Sequence, residues 1–231
     1  MTAFFSDVCS RRDSCRLCHR KTLVPALELT PTPPANAFVS ESELSAEQQA
    51  FPLDVHFCED CAHVQLLDVV DPELLFGNYV YVSGTSPVFI EHFRKYAESV
   101  SARFVPDPKI DSLAIDIGSN DGTLLQQFKD LGFATLGIDP ARNIAAQATE
   151  NGIETLPKFF TKDLAKKIRA SRGTAKVITA NNVYAHADNL IDITEGIRIL
   201  LAEDGVFVFE VSYLVDVIEK TLFDTIYHEH L

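Results

Sequence analysis

Four of the five cysteines form two C-x2-C pairs, a spacing typical of zinc sites. The pairs are Cys15-Arg-Leu-Cys18 and Cys58-Glu-Asp-Cys61. Two-residue spacing lets both thiolates of a tight turn reach one ion, and two such turns supply the four sulfurs of a tetrahedral site. A saturated four-thiolate site leaves no open position for water, so we expect the zinc to be structural rather than catalytic.

Two other interpretations of the cysteines are open. A single C-x2-C pair can be a redox motif, but it should then follow a strand of a thioredoxin-like unit, which the flanking sequence does not predict. Unliganded core cysteines are the second alternative. Paired motifs confined to the first 61 residues favour zinc over both. Cys9 is left over, and His19, His56 and His63 are expected to be surface residues because four thiolates already suffice.

A second segment that could do chemistry is the loop Asp116-Ile-Gly-Ser-Asn-Asp-Gly122, which follows an apolar run. Glycines let the backbone pass close to a ligand, and amides at the start of a helix can meet a negative group. Asp139 comes 23 residues after Asp116, at the end of the next apolar run, where a carboxylate can accept both ribose hydroxyls of a nucleoside. The predicted cofactor-binding residues here are Asp116, Gly118, Asn120, Gly122 and Asp139.

The loop differs from the G-x-G-x-x-G pattern of dinucleotide sites. Gly118 and Gly122 are separated by Ser-Asn-Asp, so there is no middle glycine for a pyrophosphate to approach. Asp116 and Asp121 would also repel a diphosphate. They suit a cofactor with an ammonium group, such as the methionine part of S-adenosylmethionine. The alternative, an ordinary strand–turn–helix junction, is weakened by Asp139 at the expected distance.

Two later segments could complete this cofactor site. Phe160, in Lys158-Phe-Phe160, could form an aromatic wall for adenine, although such aromatics are more often part of a core. Asn181 and His186 lie in Asn181-Asn-Val-Tyr-Ala-His186, directly after a predicted strand. Ligands of doubly wound sheets bind at the carboxyl ends of the strands, so we expect Asn181 to bind cofactor and His186 to face the cleft. An ordinary loop histidine is the alternative for His186.

The elements that must position these residues alternate between strand and helix. Strands are predicted over 113–117, 134–139, 153–156, 176–180 and 205–210, and helices over 141–150, 162–170 and 190–201, with one more helix ending at Phe128. Short apolar strands alternating with helices predict a parallel sheet that is covered on both faces. The predicted fold class is therefore α/β, with a Rossmann-like domain preceded by a small zinc-binding module.

Composition divides the chain into three predicted segments. Residues 1–70 form the zinc module and include a proline-rich, non-helical stretch at 30–38. Residues 71–110 form a helical connector with one amphipathic helix near 88–100. Residues 111–231 form the cofactor domain. Because the chain stops directly after its most functional-looking segment, Tyr227-His-Glu-His230, we expect a longer parent protein to continue beyond it.

Charge and hydropathy restrict the partners. The formal net charge of −13 disfavours nucleic acid and anionic membrane surfaces. No run approaches the ~18 apolar residues of a membrane span. The segment Met1–Asp7 lacks the features of a signal peptide. A cytoplasmic protein is expected.

Together these motifs resemble the sugar C-methyltransferases that act on nucleotide-linked 4-keto deoxysugars and use S-adenosylmethionine. The resemblance runs along nearly the whole chain and implies a class I methyltransferase fold. It is carried by the two cysteine pairs and by Pro34-Ala-Asn-Ala-Phe38, Cys61-Ala-His-Val-Gln65, Tyr79-Val-Tyr-Val-Ser-Gly-Thr-Ser86, Asp116-Ile-Gly-Ser-Asn-Asp-Gly122, Asn182-Val-Tyr-Ala-His186 and Asp224-Thr-Ile-Tyr-His-Glu-His230.

The resemblance implies methylation of a carbon beside a ketone, through an enolate. Such chemistry needs a base and donors that face the developing oxyanion. By the resemblance, His230 is the base. Tyr227 and His186 stabilise or protonate the enolate oxygen, and Glu229 orients a partner or holds the sugar. Tyr81 is implied to contact the substrate.

Some expectations stay open at this point. His228 alternates away from its neighbours in an extended segment and is the weakest candidate of its cluster. The family continues into a further C-terminal domain that helps enclose the nucleotide-sugar and has no counterpart in these 231 residues. The alternatives are a methyltransferase of another small molecule that uses the same cofactor, or a truncated, non-catalytic fragment that binds S-adenosylmethionine and zinc.

Overall fold

The computed structural model describes residues 8–77, 79–109 and 111–231, which divide into two compact units. The first unit contains the described residues up to Phe76, Ala185–Leu190 and Ser212–Leu231, and the second contains the rest. Residues 1–7 of the predicted zinc module, where no signal peptide is expected, lie outside the described residues, as do residues 78 and 110 of the predicted connector. The predicted division into 1–70, 71–110 and 111–231 stays a prediction.

Short antiparallel strands form the first unit. Its strands are β1 (Cys9–Arg11), β2 (Leu23–Leu27), β3 (Val55–Cys58), β4 (Val64–Leu66) and β5 (Asp68–Val70). β2, β3 and β4 make one three-stranded sheet in that order, and β1 pairs with β5. The hairpin between β3 and β4 carries the second cysteine pair. The register places Leu23 opposite Cys58, so the chain that leaves the first cysteine pair runs directly beside the second.

Two small apolar clusters form the core of the first unit. Leu53, Val55 and Leu66 make one, with Ile226 packed against it. The other contains the leftover Cys9 with Phe51 and Val70. A short helix, α1 (Pro72–Phe76), follows β5 and starts where Asp71-Pro predicts a helix to begin.

One histidine of the first unit, His56, does not lie on the surface as the sequence predicts. His56 is buried, not on the surface, because it lies on β3 opposite Gln65 of β4, with its ring in the interior. Its Nδ1 lies 3.1 Å from the Asp54 carbonyl, to which it donates a hydrogen bond. His19 is exposed as expected, and His63 is partly buried.

The second unit is a five-stranded parallel sheet with helices. In chain order its elements are α2 (Pro87–Phe104), β6 (Leu113–Ile117), α3 (Thr123–Asp130), β7 (Ala134–Ile138), α4 (Arg142–Glu150), β8 (Thr155–Leu156), α5 (Lys162–Arg172), β9 (Ala175–Asn181), α6 (Leu190–Leu200) and β10 (Leu201–Glu210). The strand order is β10-β9-β6-β7-β8. All five residues of β6 are buried, as expected for a central parallel strand. The predicted α/β fold is confirmed.

Helix α2 packs on this sheet and extends the predicted amphipathic helix at both ends. It begins after Ser86, whose hydroxyl accepts the Phe89 N–H, and it has Pro87 in its first turn. Its buried residues join a cluster with residues of the sheet and of α3; the cluster contains Phe93, Ala97, Val100, Ala114, Leu124, Phe128, Phe133 and Val177.

Several predicted boundaries were wrong by a few residues. β8 is two residues long because it pairs only with the last two residues of β7, so Ile153 and Glu154 precede the strand. α5 continues to Arg172 and ends at Gly173, whose φ of +84° suits glycine. β10 begins at Leu201, but its regular pairing with β9 starts at Val206, close to the predicted start. A seventh helix, α7 (Leu214–Glu219), belongs to the first unit.

No helix of the described residues is both long and apolar enough to cross a membrane.

Substitution of Phe128 tests how much the core of the second unit contributes to stability. Its side chain is fully buried and meets Phe133 edge to face. Phe128→Ala should lower the free energy of unfolding by about 3–5 kcal/mol, because it removes apolar contacts and leaves a cavity. Val88→Ala, at an exposed position of α2, should change it by less than about 0.5 kcal/mol. Urea denaturation measures both, and equal effects of the two substitutions would contradict this core assignment.

Candidate functional site

The four cysteines of the two pairs converge on one point. Their sulfurs all lie within 4.8 Å of one another. The distance from Cys15 Sγ to Cys61 Sγ is 3.7 Å, and from Cys18 Sγ to Cys58 Sγ it is 3.6 Å. Four sulfurs about 2.3 Å from a central ion at tetrahedral angles would be about 3.8 Å apart. The donor set therefore fits one zinc ion with all four positions filled.

The two cysteine turns are built alike. His19 and Ala62 each follow the second cysteine of a pair and have positive φ values of 61° and 59°. Each donates its N–H to the carbonyl of the first cysteine of its pair, at 2.9 Å for His19 to Cys15 and 2.8 Å for Ala62 to Cys58. These bonds close the turns and direct both thiols of a pair to the same side.

The thiols affect one another's protonation. Burial works to raise the pKa of Cys15, but hydrogen bonds from the backbone N–H groups of Cys18 and Leu17 bring it down to about 6. A backbone hydrogen bond at His63 favours the Cys61 thiolate, yet burial and the neighbouring sulfurs raise its pKa to about 12. Four thiolates this close therefore need a cation to coexist at neutral pH.

In the second unit, the loop after β6 is shaped by two glycines with positive φ. Gly118 has φ +71°, and a Cβ there would clash with Val183. Gly122 has φ +80°, and a Cβ there would meet Ile153 at 2.9 Å. Both positions thus exclude larger residues, which keeps the backbone open at the carboxyl edge of the sheet.

Two predicted cofactor residues are carboxylates with different surroundings. Burial raises the pKa of Asp116 to about 7, although the Thr179 hydroxyl, which donates to Asp116 Oδ1 at 2.6 Å, works against this rise. Asp139 is buried, and each of its oxygens accepts one backbone N–H at 2.8 Å, from Ala141 and from Asn120. A carboxylate oxygen has two acceptor positions, so Asp139 retains one on each oxygen for a pair of ribose hydroxyls.

Asn120 and Asp121 hold the segment that contains Tyr81. The Asn120 side chain donates to the Tyr81 carbonyl at 2.9 Å and accepts the Ser83 N–H at 3.0 Å. Asp121 Oδ2 accepts the Gly84 N–H at 2.8 Å. These side chains therefore fix the backbone beside Tyr81, whose side chain is exposed. No local pattern in the sequence marks this link, because about 37 residues separate its partners.

Ser119 carries a polar atom that the rest of the structure does not use, because its Oγ is buried without a hydrogen-bond partner among the described residues. The side-chain amide of Asn181 is also buried and lies beside the Tyr96 hydroxyl. Buried polar groups are seldom left unpaired unless a ligand or water completes them. These atoms lie where β9 ends and in the loop after β6, which is where the cofactor is predicted.

Phe160 is half-buried and its ring edge packs on Gly196 of α6, so it contributes to the packing against that helix.

In the first unit, four rings from three distant segments of the chain lie in a row. Phe76 stacks on His186 with ring centroids 5.5 Å apart, His186 is 5.1 Å from His230, and His230 is 4.2 Å from Tyr227. The Leu231 N–H donates to the Ala185 carbonyl at 3.0 Å and ties the two segments together. We call Phe76, His186, His230 and Tyr227 the ring row. It unites three residues predicted to be catalytic.

The hydrogen bond of His230 determines which of its nitrogens can act as a base. Nδ1 lies 2.9 Å from the Thr225 carbonyl. A carbonyl can only accept, so Nδ1 carries the proton and Nε2 carries the lone pair of the neutral ring. Burial lowers the pKa of His230, and the bond to Thr225 partly offsets this. The ring is therefore a neutral base at pH 7.

His186 and Tyr227 are also held in their neutral forms. Burial, together with the neighbouring His230, lowers the pKa of His186 to about 3. Burial and the charge of Glu229 raise the pKa of Tyr227. His186 Nε2 is buried with no hydrogen-bond partner among the described residues. Both side chains can thus donate a hydrogen bond at neutral pH.

Glu229 and His228 lie inside the first unit. Glu229 is almost fully buried and accepts a bond from Asn36 Nδ2 at 3.4 Å. His228 is buried edge-on against Phe51 and donates from Nε2 to the Phe51 carbonyl at 3.1 Å. The segment is a turn and not extended as predicted, because the His230 N–H donates to the Tyr227 carbonyl at 3.0 Å; the ranking of His228 as the weakest candidate stays a prediction. Sequence reasoning missed Phe76 as a member of the ring row, since nothing in its local sequence marks it.

Comparisons with known proteins add two family matches. Residues 15–76 match a family described as "Putative zinc binding domain". Residues 89–231 match a family described as "Methyltransferase domain". The first match contains all four clustered cysteines, and the second contains the glycine loop and most of the ring row.

Individual proteins are also similar to the chain. The chain is 34% identical over 225 residues to the C-methyltransferase NovU of Streptomyces niveus, which covers 97% of this chain and 53% of that protein. The chain thus spans about half the length of this curated relative. Among solved structures, a methyltransferase of Clostridium acetobutylicum aligns with a TM-score of 0.46 and 14% identity, covering 55% of this chain and 54% of that one. The plantazolicin methyltransferase BpumL aligns with a TM-score of 0.46 and 16% identity, covering 62% and 58%.

Replacing one zinc ligand tests the metal centre. Four ligands of a structural zinc together contribute about 10–16 kcal/mol, so Cys58→Ser should weaken zinc binding by about 100-fold or more. Cys9→Ser is the matched control, since Cys9 is a buried cysteine outside the cluster. Metal analysis of the purified variants against a competing chelator measures the difference. If Cys9→Ser lost zinc as readily as Cys58→Ser, the assignment of the four ligands would be wrong.

The pH dependence of stability tests the environment of His186. An unperturbed histidine, as in the unfolded chain, has a pKa of 6.5, whereas the pKa of His186 in the folded chain is about 3. Between these values the unfolded state binds a proton that the folded state does not, so the free energy of unfolding falls as the pH drops below 6.5. The loss is at most about 1.4 kcal/mol per pH unit. His186→Asn should make the fall between pH 6.5 and pH 5 shallower in urea denaturation. An unchanged slope would show that His186 is not held neutral.

Proposed function

Because the chain belongs to the methyltransferase-domain family and carries a zinc-binding module ahead of that domain, we propose that it is a C-methyltransferase. In this proposal the methyl group goes to the carbon beside the ketone of a nucleotide-linked 4-keto deoxysugar. The relative named a C-methyltransferase and the motifs of the sequence support the class of reaction. The geometry of His230 carries the proposal, since its free Nε2 is the base that removal of a carbon-bound proton requires.

Family membership confirms the predicted cofactors, S-adenosylmethionine for the methyltransferase domain and zinc for the four-cysteine module. Bound S-adenosylmethionine supplies an electrophilic methyl group. The residues of the second unit fit this cofactor: Asp139 has acceptor positions left for two ribose hydroxyls, and Gly118 and Gly122 keep the loop open. The buried hydroxyl of Ser119 and the amide of Asn181 offer further polar contacts. We assign no residue of the second unit to binding the diphosphate of a nucleotide-sugar.

The proton chemistry is assigned to the first unit. His230 Nε2 takes the proton from the carbon beside the ketone, and the bond from Nδ1 to Thr225 keeps the ring oriented. The ketone oxygen gains negative charge as the proton leaves. The Tyr227 hydroxyl and a ring N–H of His186 donate to that oxygen, because both groups are neutral and keep their protons. S-adenosylmethionine, when bound, would supply the methyl group to this carbon, with the methyl–sulfur bond of the sulfonium breaking and S-adenosylhomocysteine as the leaving group.

Two residues are proposed to hold the sugar. Glu229 is buried directly before His230 in sequence and accepts a bond from Asn36, so its carboxylate is proposed to accept sugar hydroxyls or orient a neighbour. Tyr81 has an exposed side chain on a backbone that Asn120 fixes, so its ring can contact a substrate without its main chain moving. A nucleotide-sugar substrate, a role in deoxysugar biosynthesis and a cytoplasmic location belong to the same proposal.

Exchange of the carbon-bound proton tests the base directly. In D2O, with S-adenosylhomocysteine in place of the methyl donor, the chain should exchange deuterium into the position beside the ketone of a 4-keto deoxysugar nucleotide. His230→Gln should lower this rate by about 10²- to 10⁴-fold, because glutamine can keep the bond to Thr225 but is no base. Proton NMR of the sugar measures the exchange.

The exposed variant His92→Gln serves as the control and should exchange at the unmodified rate. Calorimetry should show that His230→Gln binds S-adenosylhomocysteine as the parent chain does. Exchange that persists in His230→Gln would refute its role as the base. Cofactor binding without exchange on any keto-sugar nucleotide would instead favour a non-catalytic fragment.

A further inference from the structure

Arg16 stands between two zinc ligands and is nevertheless buried. It is the residue after Cys15 in the first cysteine turn, and its side chain is 1% exposed. A buried guanidinium is costly unless charged or polar acceptors surround it. Gln65 Oε1 accepts the Arg16 backbone N–H at 3.0 Å and lies 3.4 Å from Nη1. The charge itself is met by Asp188, whose Oδ1 lies 3.3 Å from Nη2.

Asp188 is shared by two arginines. Besides Arg16, Arg12 places Nη1 at 2.9 Å from both of its carboxylate oxygens. The arginines lie 172 and 176 residues away from Asp188 in sequence, so these bonds are long-range ties within the first unit. The Asp188 side chain is 35% exposed, so the carboxylate bridges the buried cysteine turn and the surface.

Asp188 comes two residues after His186 on the same short connection. The segment that holds His186 is fixed at one side by the bond from the Leu231 N–H to the Ala185 carbonyl. On the other side, Asp188 ties it to Arg16 and Arg12. Two residues of chain reach at most about 7 Å, so a displaced Asp188 would move His186 relative to His230.

We propose that Arg16, assisted by Arg12, is a positioning residue that acts through Asp188 to hold His186 beside His230. The two cysteines that flank Arg16 fix its backbone, and the planar guanidinium transmits that fixed position to Asp188. The zinc-bearing turn then does more than stabilise its own module: it sets the spacing of the ring row. The consequence for catalysis rests on the proposed function, whereas the placement of His186 can be tested without it.

The first experiment follows the histidine rings in the full chain. Asp188→Asn removes the charge that meets Arg16 at nearly constant volume. In two-dimensional NMR of the imidazole rings, the signals of His186 and His230 should shift or broaden, and those of His92 should not. Asp13→Asn, which breaks the exposed ion pair with Lys21, is the matched control and should leave all of these signals in place.

Two further variants separate positioning from a simple charge requirement. Arg16→Lys keeps the charge but loses the planar fork, and should move the His186 and His230 signals as Asp188→Asn does. Arg16→Met combined with Asp188→Leu removes both charges and is expected to fold, because apolar pairs often replace buried ion pairs. It should recover resistance to urea but leave the His186 and His230 signals displaced.

The kinetic arm completes the test. Asp188→Asn should lower kcat for deuterium exchange by about 10- to 100-fold, since small misplacements of reacting groups cost this much. Binding of S-adenosylhomocysteine should change by less than twofold. Unmoved His186 and His230 signals in Asp188→Asn, or full recovery of those signals in the double variant, would overturn the positioning role. A parent chain that fails to exchange would count against the proposed function alone, since the ring signals still decide the placement of His186.

Discussion

The convergence of four cysteine sulfurs within 4.8 Å is the constraint on which the first unit depends. Thiolates at this distance repel one another, and the high pKa of Cys61 is one sign of that repulsion. A cation at their centre removes the conflict and joins the turn at Cys15 to the hairpin at Cys58. The apolar clusters of this unit are small, so the metal supplies cross-linking that a larger core would otherwise provide.

The first unit draws in segments from distant parts of the chain. His228 packs on Phe51, Ile226 joins the cluster around Val55, and Asp188 meets the buried Arg16. These contacts explain how a connection near residue 186 and the last residues of the chain are brought to the same place. The ring row therefore belongs to the metal-stabilised first unit.

The second unit follows from the rule that loops at the carboxyl edge of a parallel sheet bind ligands. Gly118 and Gly122 keep this edge open, and Asp139 retains acceptor positions there. The same loop also has a mechanical role, because Asn120 and Asp121 use their side chains to hold the backbone from Tyr81 to Gly84. One short sequence thus serves both cofactor recognition and the placement of a neighbouring segment.

The clustering of the four cysteines, the α/β fold and nearly every strand and helix of the second unit could be predicted from the sequence. These features depend on local spacing and hydrophobic period, which are visible along the chain. Strand ends were less predictable, since β8 is limited by what β7 offers for pairing. The tertiary structure alone decided that His56 is buried, that Phe76 joins His186 and His230, and that Asp188 ties the histidine segment to Arg16. These depend on contacts between residues more than 100 positions apart, or on which side of a strand meets a neighbour, and no local pattern records either.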